Sequence, residues 1–507
     1  MKNIFLWLAA MVFFRPAPVG AQDIKISLLA KNQPVFTQTD QNPVLRLSVQ
    51  NPSQSRLNAF SGTVGAESVN DIEKIELYDS DTLSHFTTKR LLGEAPIEGR
   101  KFTIKFNELA TFNQHHLWLN VVLKNSAKLS HQLLLQPDYF LAGNAKQIRL
   151  AKEQFAFRIG RVVRKHGDDK VNTYRIPGIA AAAAGALISV YDIRYLNARD
   201  LPANIDVGMS RSLDRGETWE PMKVIMDMGE PNENNGVGDP AILYDTQTHT
   251  LWVAALWSKG NRSIAGSKPG LLPDETGQLV LVKSTDNGLT WSKPTSITAE
   301  VKNPKWNLFF NGPGTGTVMA DGTLVFPAQY WDENKRPHST IIYSKDHGQS
   351  WKAGIGAKNN TTESAVVETL PGQLLLNMRD NAGKFRSVAT TNDLGQTWQM
   401  HPTSANTLAD PVCMGSLIRA KAKVKGKLKD VLFFSNPNSS VSRKNLSLKA
   451  SLDLGQTWSG QTQLLIDERE SYGYSALTMI DENTIGILYE GVGDLYFVQV
   501  KVNDLFK

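Results

Sequence analysis

Hydrophobic and polar residues alternate along most of this chain, and apolar residues with helical spacing are scarce. Alternation over about four to eight residues predicts half-buried β-strands. Before residue 150 it predicts strands separated by Asn, Asp, Ser and Gly, at residues 24–29, 44–49, 72–77, 102–106, 117–123 and 132–137. Residues 22–150 are therefore predicted to form a small β-sandwich, whose role is left open between sugar binding, interdomain support and neither.

A second domain is predicted over residues 151–507. The polar segment 145–154 is interpreted as the link, and short strands with Gly, Asn and Asp turns recur from residue 155 to the end. The alanine-rich run 180–184 has low strand propensity, but it lies between two strand-like segments. Because small residues allow close packing, an inner strand is predicted there rather than a helix.

An eight-residue pattern occurs five times in the second domain. It reads Ser/Thr-x-Asp-x-Gly-x-Thr/Ser-Trp, and its copies occupy residues 212–219, 284–291, 344–351, 391–398 and 451–458. The copies begin 47 to 72 residues apart. This is about the length of one four-stranded blade, with inserted loops in the longer intervals. The spacing therefore predicts a β-propeller.

The residue types of this repeat predict a tight turn. Asp accepts hydrogen bonds from nearby backbone N–H groups, and Gly allows backbone angles that a side chain forbids. The hydroxyl groups add local hydrogen bonds, and the Trp anchors the turn on a neighbouring strand. The repeat is thus evidence for the fold, not for an activity.

Composition narrows the class of partner. The 507-residue chain is 41% hydrophobic and 21% charged, with a net charge of +6 and a pI of about 9.0. A positive balance suits an anionic partner, but the sequence has no dense Lys/Arg stripe or basic helix, so nucleic acid is not predicted as a partner.

The first 21 residues predict an export signal. A basic start precedes the apolar run 4–14, and small residues at 19–21 predict cleavage before Gln22. The run is too short for a stable membrane span, which needs about 20 residues. The mature protein is therefore expected in the periplasm or the medium. It is also expected to be a monomer. Cys413 is the only cysteine, which excludes an intrachain disulfide, and neither a metal nor an organic cofactor is predicted.

Three arginines have settings that suggest a shared anion site. Arg175 precedes Ile-Pro at the start of the second domain, Arg379 ends an apolar strand, and Arg443 lies in a polar loop. Each belongs to a different blade of the predicted propeller. Three converging guanidinium groups would repel one another without an anion, and Arg recognises a carboxylate in bidentate fashion.

With these arginines and the five repeats, residues 155–507 resemble the bacterial exo-sialidases (neuraminidases), whose repeats are called Asp-boxes. The resemblance implies an all-β chain with a six-bladed β-propeller. It also implies that Arg175, Arg379 and Arg443 bind the carboxylate of sialic acid. The segment 191–200 is similar to a family loop that supplies a further pocket arginine and the general acid/base, which become Arg194 and Asp200. Asp192 and Asp206 compete with Asp200 for that role.

The resemblance also assigns the remaining site residues. Segment 361–368 is similar to the family's catalytic glutamate segment, which gives Glu363, and segment 471–475 to its nucleophile segment, which gives Tyr474 with Tyr472 as the rival. Glu490 is expected to brace Arg175, and Asp239 to contact the amino-sugar side of the ring. Met209 and Trp257 are candidate walls for the N-acetyl group.

A tyrosine nucleophile has a physical reason in such a site. The anomeric carbon of sialic acid bears a carboxylate, and two like charges about 4 Å apart repel by roughly 4 kcal/mol at an effective dielectric of about 20. A neutral Tyr avoids this repulsion, but its ordinary pKa of about 10 requires a neighbouring base such as Glu363. Nearby arginines would favour the phenolate.

The sequence thus predicts a secreted exo-α-sialidase that hydrolyses terminal sialic acids of glycoproteins, glycolipids and oligosaccharides, with retention through a covalent sialyl-tyrosine. A trans-sialidase or intramolecular trans-sialidase would use the same residues. A non-catalytic sialic-acid-binding propeller would need the arginines alone. The preferred glycosidic linkage stays open.

Overall fold

The computed structural model describes residues 24–51, 56–109, 114–143, 146–229, 235–260 and 262–506. The predicted export signal lies outside these residues. The described chain is built almost entirely of β-strands, with short helices at Ser68–Asp71 and Thr298–Val301 and single 3₁₀ turns at Asp168–Lys170, Ala183–Gly185, Ile264–Gly266, Gly460–Thr462 and Val502–Phe506. The all-β prediction is confirmed. No helix among the described residues is long and apolar enough to cross a membrane.

The N-terminal domain consists of two sheets packed face to face. One sheet has the strand order Lys25–Ala30, Pro43–Gln50, His115–Leu123, Ile72–Asp79 and Leu91–Ala95. The other pairs Lys101–Leu109 with Leu57–Val64, then Gln132–Ala142, whose far edge is extended by Lys146–Arg149. Alternate side chains of both sheets meet in one apolar core that includes Phe60, Leu119 and Phe140. This is the predicted sandwich.

Each of the six predicted strands lies within an observed strand, except that residue 24, which was predicted as strand, precedes the observed strand Lys25–Ala30. The prediction missed Val35–Thr37, Leu57–Val64 and Leu91–Ala95. The predicted polar link is partly a strand, because Lys146–Arg149 forms a hairpin with Tyr139–Ala142, whereas residues 150–154 lie outside helices and strands. The exposed positions of this edge strand favour polar side chains, so the sequence pattern resembles a loop.

The second domain is a propeller of six four-stranded blades around a central channel. Blade 1 contains Thr173–Ala181, Leu187–Arg194, Ile205–Ser212 and Lys223–Met226; blade 2 contains Val237–Asp245, Thr250–Trp257, Gln278–Ser284 and Thr295–Ser296. In blade 3 the inner strand is interrupted, as Leu308–Asn311 and Thr317–Val318, and is followed by Leu324–Trp331, Pro337–Ser344 and Lys352–Ala353. Gly314–Thr315 joins the sheet of blade 2, and Lys358–Asn359 pairs with Pro337–Ser344.

Blades 4 to 6 complete the ring. Blade 4 contains Thr361–Leu370, Gln373–Asp380, Ser387–Thr391 and Gln399–Met400; blade 5 contains Ser416–Val424, Lys427–Pro437, Leu446–Ser451 and Gln463–Asp467. Lys384–Phe385 and Ala409–Asp410 form a small ribbon between blades 4 and 5. Blade 6 contains Ser475–Asp481, Thr484–Glu490, Leu495–Lys501 and, as its outer strand, part of Phe155–Arg164. The predicted six-bladed propeller is confirmed.

The strand Phe155–Arg164 belongs to both domains. Its first four residues pair with Gln132–Leu135 of the sandwich, whereas residues 160–164 pair with Leu495–Val498 of blade 6. The ring is thus closed by a strand that precedes blade 1 in the chain. The apolar core of the sandwich also continues into blades 1 and 6 through Tyr191 and Phe497.

The Asp-boxes are turns that link the third and fourth strands of blades 1 to 5. In the first copy, Ser212 Oγ accepts from Gly216 N at 2.7 Å, and the Asp214 carboxylate accepts from Thr218 N at 2.9 Å and from Thr218 Oγ1 at 2.6 Å. The other four copies repeat these contacts. Blade 6 lacks a copy because its fourth strand comes from the other end of the domain.

Each box packs against the preceding blade of the ring or against the strand next to it. Trp219 of the first box meets Phe497 of blade 6 at 5.3 Å, and Trp351 of the third box meets Trp252 of blade 2 at 6.1 Å. The boxes therefore staple neighbouring blades together, as their residue types predict.

The alanine run is only partly an inner strand. The strand of blade 1 ends at Ala181, and Ala183–Gly185 forms a 3₁₀ turn. A small residue is instead required at Gly178, where a Cβ would lie 2.4 Å from the carbonyl oxygen of Gly314. The backbones of the two segments therefore approach closely at this point.

The box carboxylates should make the fold acid-sensitive. Hydrogen bonds from Thr290, Ser350 and Thr397 lower the pKa of Asp286, Asp346 and Asp393 to about 2, from an ordinary value of 3.8. Since the pKa is lower in the folded state, the stabilisation is complete above about pH 4 and is lost as the pH falls through 2.

We therefore expect Asp346→Asn to lower the unfolding temperature at pH 7. Between pH 5 and 2.5, the unfolding temperature of the variant should fall less than that of the wild type. Thermal unfolding followed by circular dichroism across this range measures both effects. Asp430→Asn, in an exposed pair with Arg419, is the matched control. An acid profile of Asp346→Asn parallel to that of the wild type would contradict the assignment.

Candidate active site

The predicted site residues lie at one end of the propeller, where the inner strands begin and the second strands end. Arg175, Asp239 and Glu363 come from the starts of the inner strands of blades 1, 2 and 4. Arg194, Arg379 and Glu490 come from the ends of the second strands of blades 1, 4 and 6. Asp200, Arg443 and Tyr474 lie on the connections at the same end. These residues lie together because, in an antiparallel blade, the start of the inner strand and the end of the second strand are on the same face of the propeller.

Three of the inner strands are irregular where they carry a site residue. The register shifts between Arg175 and Gly178, between Gly238 and Ala241, and between Thr361 and Ser364. Two of these bulges hold a non-glycine residue in the left-handed region, Ile176 at φ 57° and Asp239 at φ 57°. Bulges re-aim side chains next to active sites, and two strained residues therefore lie where the site is built.

Tyr474 is the centre of the site. Its hydroxyl donates to Glu363 Oε1 at 2.5 Å and accepts from Arg379 Nη1 at 3.0 Å, and Arg379 Nη1 also donates to Glu363 Oε2 at 2.7 Å. Burial raises the pKa of the Tyr474 hydroxyl well above its ordinary value; the Glu363 charge adds to the rise, while Arg379 and Arg175 oppose it. The arginines act in the predicted direction, but burial outweighs them in the free site.

The rings of Tyr474 and Tyr472 lie among the other two arginines of the predicted triad. The Arg175 and Arg443 guanidiniums lie 5.3 and 5.7 Å from the Tyr474 ring centre. Tyr472 packs its ring against Arg175 at 4.7 Å, and its carbonyl oxygen accepts from Arg443 Nη1 at 2.9 Å. The sequence left the two tyrosines as rivals, and the structure brings the hydroxyl of Tyr474 to Glu363.

Glu490 joins three parts of the site. One carboxylate oxygen accepts from Arg175 Nε at 3.0 Å and from Ile176 N at 2.9 Å, and the other accepts from Tyr474 N at 2.9 Å. The side chain of Glu490 is fully buried, and its charge raises the pKa of Arg175 further above the ordinary range. The predicted brace for Arg175 therefore also fixes the backbone of Tyr474.

Asp200 is an accessible carboxylate on the connection between the second and third strands of the first blade. Its side chain is 69% exposed, and Oδ1 lies 2.7 Å from Arg194 Nη1 and 3.6 Å from Arg175 Nη1. Its two rivals are buried: Asp192 pairs with Arg194 at 2.8 Å, and Asp206 accepts from the Tyr195 hydroxyl at 2.8 Å. Exposure and position therefore favour Asp200 over both.

Asp239 is half-buried and contacts Asp192 through its backbone. Its N–H donates to Asp192 Oδ1 at 2.8 Å, and its carbonyl oxygen accepts from Asn311 Nδ2 at 2.7 Å. Burial raises the pKa of the Asp239 carboxyl well above its ordinary value, and the nearby Asp192, Glu363 and Asp200 carboxylates raise it further. The acid can then donate a hydrogen bond at a pH where an ordinary aspartate only accepts.

Sequence reasoning missed two residues of this site. Asp192 was weighed only as a general acid, although it holds both Arg194 and the Asp239 backbone. Asn311 was not singled out; its position before Gly-Pro, at a break in an inner strand, was the available signal.

The two candidate pocket walls behave differently. Met209 is 3% exposed and packs beneath the Gly288 turn between blades 1 and 2, so its prediction as a pocket wall was wrong. The side chain belongs to the third strand of its blade, away from the channel. Trp257 is half-buried and donates to Asn235 Oδ1 at 2.8 Å, and its role stays a prediction.

No group of three or more His, Cys, Asp or Glu side chains in the described ranges is arranged to hold a metal ion. Cys413 is buried, and burial raises the pKa of its thiol to about 12, so the thiol stays protonated near neutral pH.

Comparison with known proteins identifies both domains. Residues 198–488 match the BNR repeat-like domain, and residues 23–146 match the N-terminal domain of BNR-repeat neuraminidase. The chain is 39% identical to a sialidase of Bacteroides fragilis over the whole of both proteins. It is 32% identical to a sialidase of Micromonospora viridifaciens, over 65% of this chain and 52% of that protein.

The fold is also that of a solved sialidase. The Hadza microbial sialidase Hz136 superimposes with a TM-score of 0.88 at 38% identity, covering 94% of this chain and 99% of that one. Sandwich, propeller and charged site together define a glycoside hydrolase of the neuraminidase class. The chain belongs to the bacterial BNR-repeat sialidase family and is a sialidase, as the sequence predicted.

Loss of the Glu490 charge should affect stability and activity together. Removing one partner of a buried ion pair costs about 3 kcal/mol or more, because the other charge is left unpaired. We expect Glu490→Gln to lower the unfolding temperature and to reduce kcat/KM on a fluorogenic sialoside by about 100-fold, since Arg175 and the Tyr474 backbone both lose their anchor. Glu482→Gln, in an exposed pair with Lys423, is the control and should match the wild type. Wild-type kinetics in Glu490→Gln would rule out the bracing role.

Proposed function

We propose that this sialidase is an exo-α-sialidase that releases terminal sialic acids from glycoproteins, glycolipids and oligosaccharides, with retention through a covalent sialyl-tyrosine. The observation that carries the proposal is the 2.5 Å hydrogen bond from Tyr474 to Glu363 amid three arginines. Most glycosidases use two carboxylates, and a tyrosine paired with one carboxylate is the exception known for sialidases.

Arg175, Arg379 and Arg443 are proposed to bind the substrate carboxylate. Arg175 and Arg379 each have a carboxylate partner, Glu490 and Glu363. Arg443 donates to the carbonyl oxygens of Tyr472 and Val412, and none of its described contacts is an ion pair. A carbonyl does not neutralise a full positive charge, so this part of the site retains charge for an anionic ligand.

In the first step, the Tyr474 oxygen attacks the anomeric carbon while Glu363 takes the phenolic proton. The glycosidic bond breaks, and Asp200 gives its proton to the leaving oxygen. The substrate carboxylate would bring the three arginines into contact with negative charge, and a neutral Tyr approaches it without like-charge repulsion.

In the second step, Asp200 takes a proton from water, and the water oxygen attacks the same carbon. The bond to Tyr474 breaks, and Glu363 returns the proton to the phenolate. Two displacements at one carbon give net retention. Asp200 must be protonated for the first step and ionised for the second, and its 69% exposure leaves it free to exchange protons between them.

Asp239 and Arg194 are proposed to contact the ring substituents on the side away from Tyr474. The raised pKa of Asp239 would let its carboxyl donate as well as accept, which suits an amide and hydroxyl groups on one sugar. Export, proposed from residues 1–21, would place this activity in the periplasm or the medium, where sialylated glycoconjugates are the partners.

Tyr474→Phe separates the two tyrosines. It removes the nucleophilic oxygen and leaves the ring between Arg175 and Arg443. We expect kcat on a fluorogenic sialoside to fall by at least about 1,000-fold, with the unfolding temperature nearly unchanged. Tyr472→Phe is the matched control and should keep kcat within about threefold. If Tyr472→Phe lost activity and Tyr474→Phe kept it, the nucleophile assignment would be reversed.

Asp200→Ala should lose activity according to the leaving group. An aryl sialoside has a good leaving group and needs little protonation, whereas a sialyl-galactoside needs the acid. We expect kcat/KM to fall about 1,000-fold or more for the sugar aglycone and at least tenfold less for the aryl one. Asp206→Asn tests the nearest rival.

NMR analysis of the first-formed product, with and without a lactose acceptor, distinguishes hydrolysis with retention from transfer.

A further inference from the structure

Arg386 is a charged side chain with no solvent exposure at all. It follows the short strand Lys384–Phe385 between blades 4 and 5, its exposed fraction is 0%, and it is among the largest fully buried side chains. Isolated burial of a guanidinium is strongly unfavourable, and burial lowers the pKa of Arg386. Its retention calls for partners that use most of its five N–H groups.

One side of the guanidinium holds the strand of Arg379. Nε donates to Asn377 Oδ1 at 2.7 Å, and Nη2 donates to the Asn377 carbonyl oxygen at 3.1 Å. Asn377 lies two residues before Arg379 in Gln373–Asp380, so the two side chains share one face of the strand. Arg386 therefore fixes the strand end from which Arg379 reaches Tyr474.

The other side holds the loop that contacts Arg443. Nη1 donates to the carbonyl oxygen of Cys413 and to Asp410 Oδ2 at 3.5 Å, while Asp410 Oδ1 accepts from Cys413 N at 2.9 Å. The residue before Cys413 is Val412, at φ 58°, whose carbonyl oxygen accepts from Arg443 Nη2 at 3.2 Å.

Asp410 extends the network to the strand that leads toward Arg443. Asn436 Nδ2 donates to Asp410 Oδ2 at 3.3 Å, and Lys449 Nζ donates to Asn436 Oδ1 at 2.6 Å. Asn436 lies in Lys427–Pro437, at the start of the loop that carries Arg443. The loop that accepts a hydrogen bond from Arg443 and the strand that leads to Arg443 are therefore both hydrogen-bonded to the Arg386–Asp410 pair.

We propose that Arg386 is a positioning residue that sets the spacing of Arg379 and Arg443, and hence the selectivity of the site for a carboxylate. The proposal rests on the carboxylate-binding role given to these two arginines under the proposed function. Arg386 itself does not contact the substrate. It acts by holding Asn377 in blade 4 and Cys413 at the entrance to blade 5 at a fixed distance from each other.

The expected consequence concerns recognition of charge. Bidentate contacts between arginine and a carboxylate depend on orientation, and small displacements from remote substitutions can reduce binding or rate by up to about 100-fold. Without the guanidinium, the Asn377 and Cys413 carbonyl groups lose their shared donor, so the strand of Asn377 and the loop of Cys413 can separate. Groups that contact neutral parts of the sugar, such as Asp239, lie on other blades and should be little affected.

The test compares two inhibitors, 2-deoxy-2,3-didehydro sialic acid and its carboxamide. Their inhibition constants are measured for the wild type, Arg386→Met and Arg386→Lys, with thermal unfolding as the check on folding. We expect Arg386→Met to reduce the preference for the carboxylate by about tenfold or more, and Arg386→Lys, which keeps the charge but not the planar fork, to fall between. Asp410→Asn changes the same network more gently, and takes the place of Arg386→Met if that variant does not fold.

Arg161→Met is the matched control. Arg161 is also buried and ion-paired, with Glu217 at 2.8 Å, but it lies between the sandwich and the propeller. It should lower the unfolding temperature and leave the inhibitor preference unchanged. Equal weakening of both inhibitors in the folded Arg386 variants, or an unchanged preference, would overturn the proposal. A wild type with no preference for the carboxylate would instead refute the proposed carboxylate site.

Discussion

The site depends on one electrostatic constraint: several guanidiniums must be held close together, out of water, around one neutral tyrosine. The structure meets it by giving four of them a buried or partly buried carboxylate. Arg175 pairs with Glu490, Arg194 with Asp192, Arg379 with Glu363 and Arg386 with Asp410. The remaining charge, on Arg443, faces carbonyl oxygens. An anionic ligand would meet that charge, as proposed for the substrate carboxylate.

The propeller separates this constraint from the means by which the fold is stabilised. Charged residues and strained bulges lie where the inner strands begin, whereas the Asp-boxes lie at the opposite ends of the blades. Strain and buried charge at the site are thus supported by turns and apolar packing that take no part in the chemistry.

The N-terminal domain packs against the propeller and shares a strand with it. The strand Phe155–Arg164 belongs to a sheet in each domain, and Phe36 of the sandwich stacks on Tyr496 of blade 6 at 4.2 Å. Lys31 pairs with Glu468 at 3.0 Å, on the segment that leads to Tyr474. These contacts favour support of the propeller, one of the roles left open by the sequence. Sugar binding stays a prediction.

Local chemistry made much of this protein readable from sequence. Alternation gave strands, and the Asp-box, a contiguous motif whose hydrogen bonds are internal, indicated a propeller. The resemblance to sialidases assigned roles to nine catalytic and binding residues, including three arginines already singled out by their settings, and the structure brings all nine to one end of the ring. Only the tertiary structure favours Tyr474 over Tyr472 and Asp200 over its rivals, because these choices depend on exposure and on partners from distant blades. It also revealed Asn311, the second role of Asp192, and Arg386. Their partners lie 9 to 72 residues away along the chain, so no spacing within one segment predicts them.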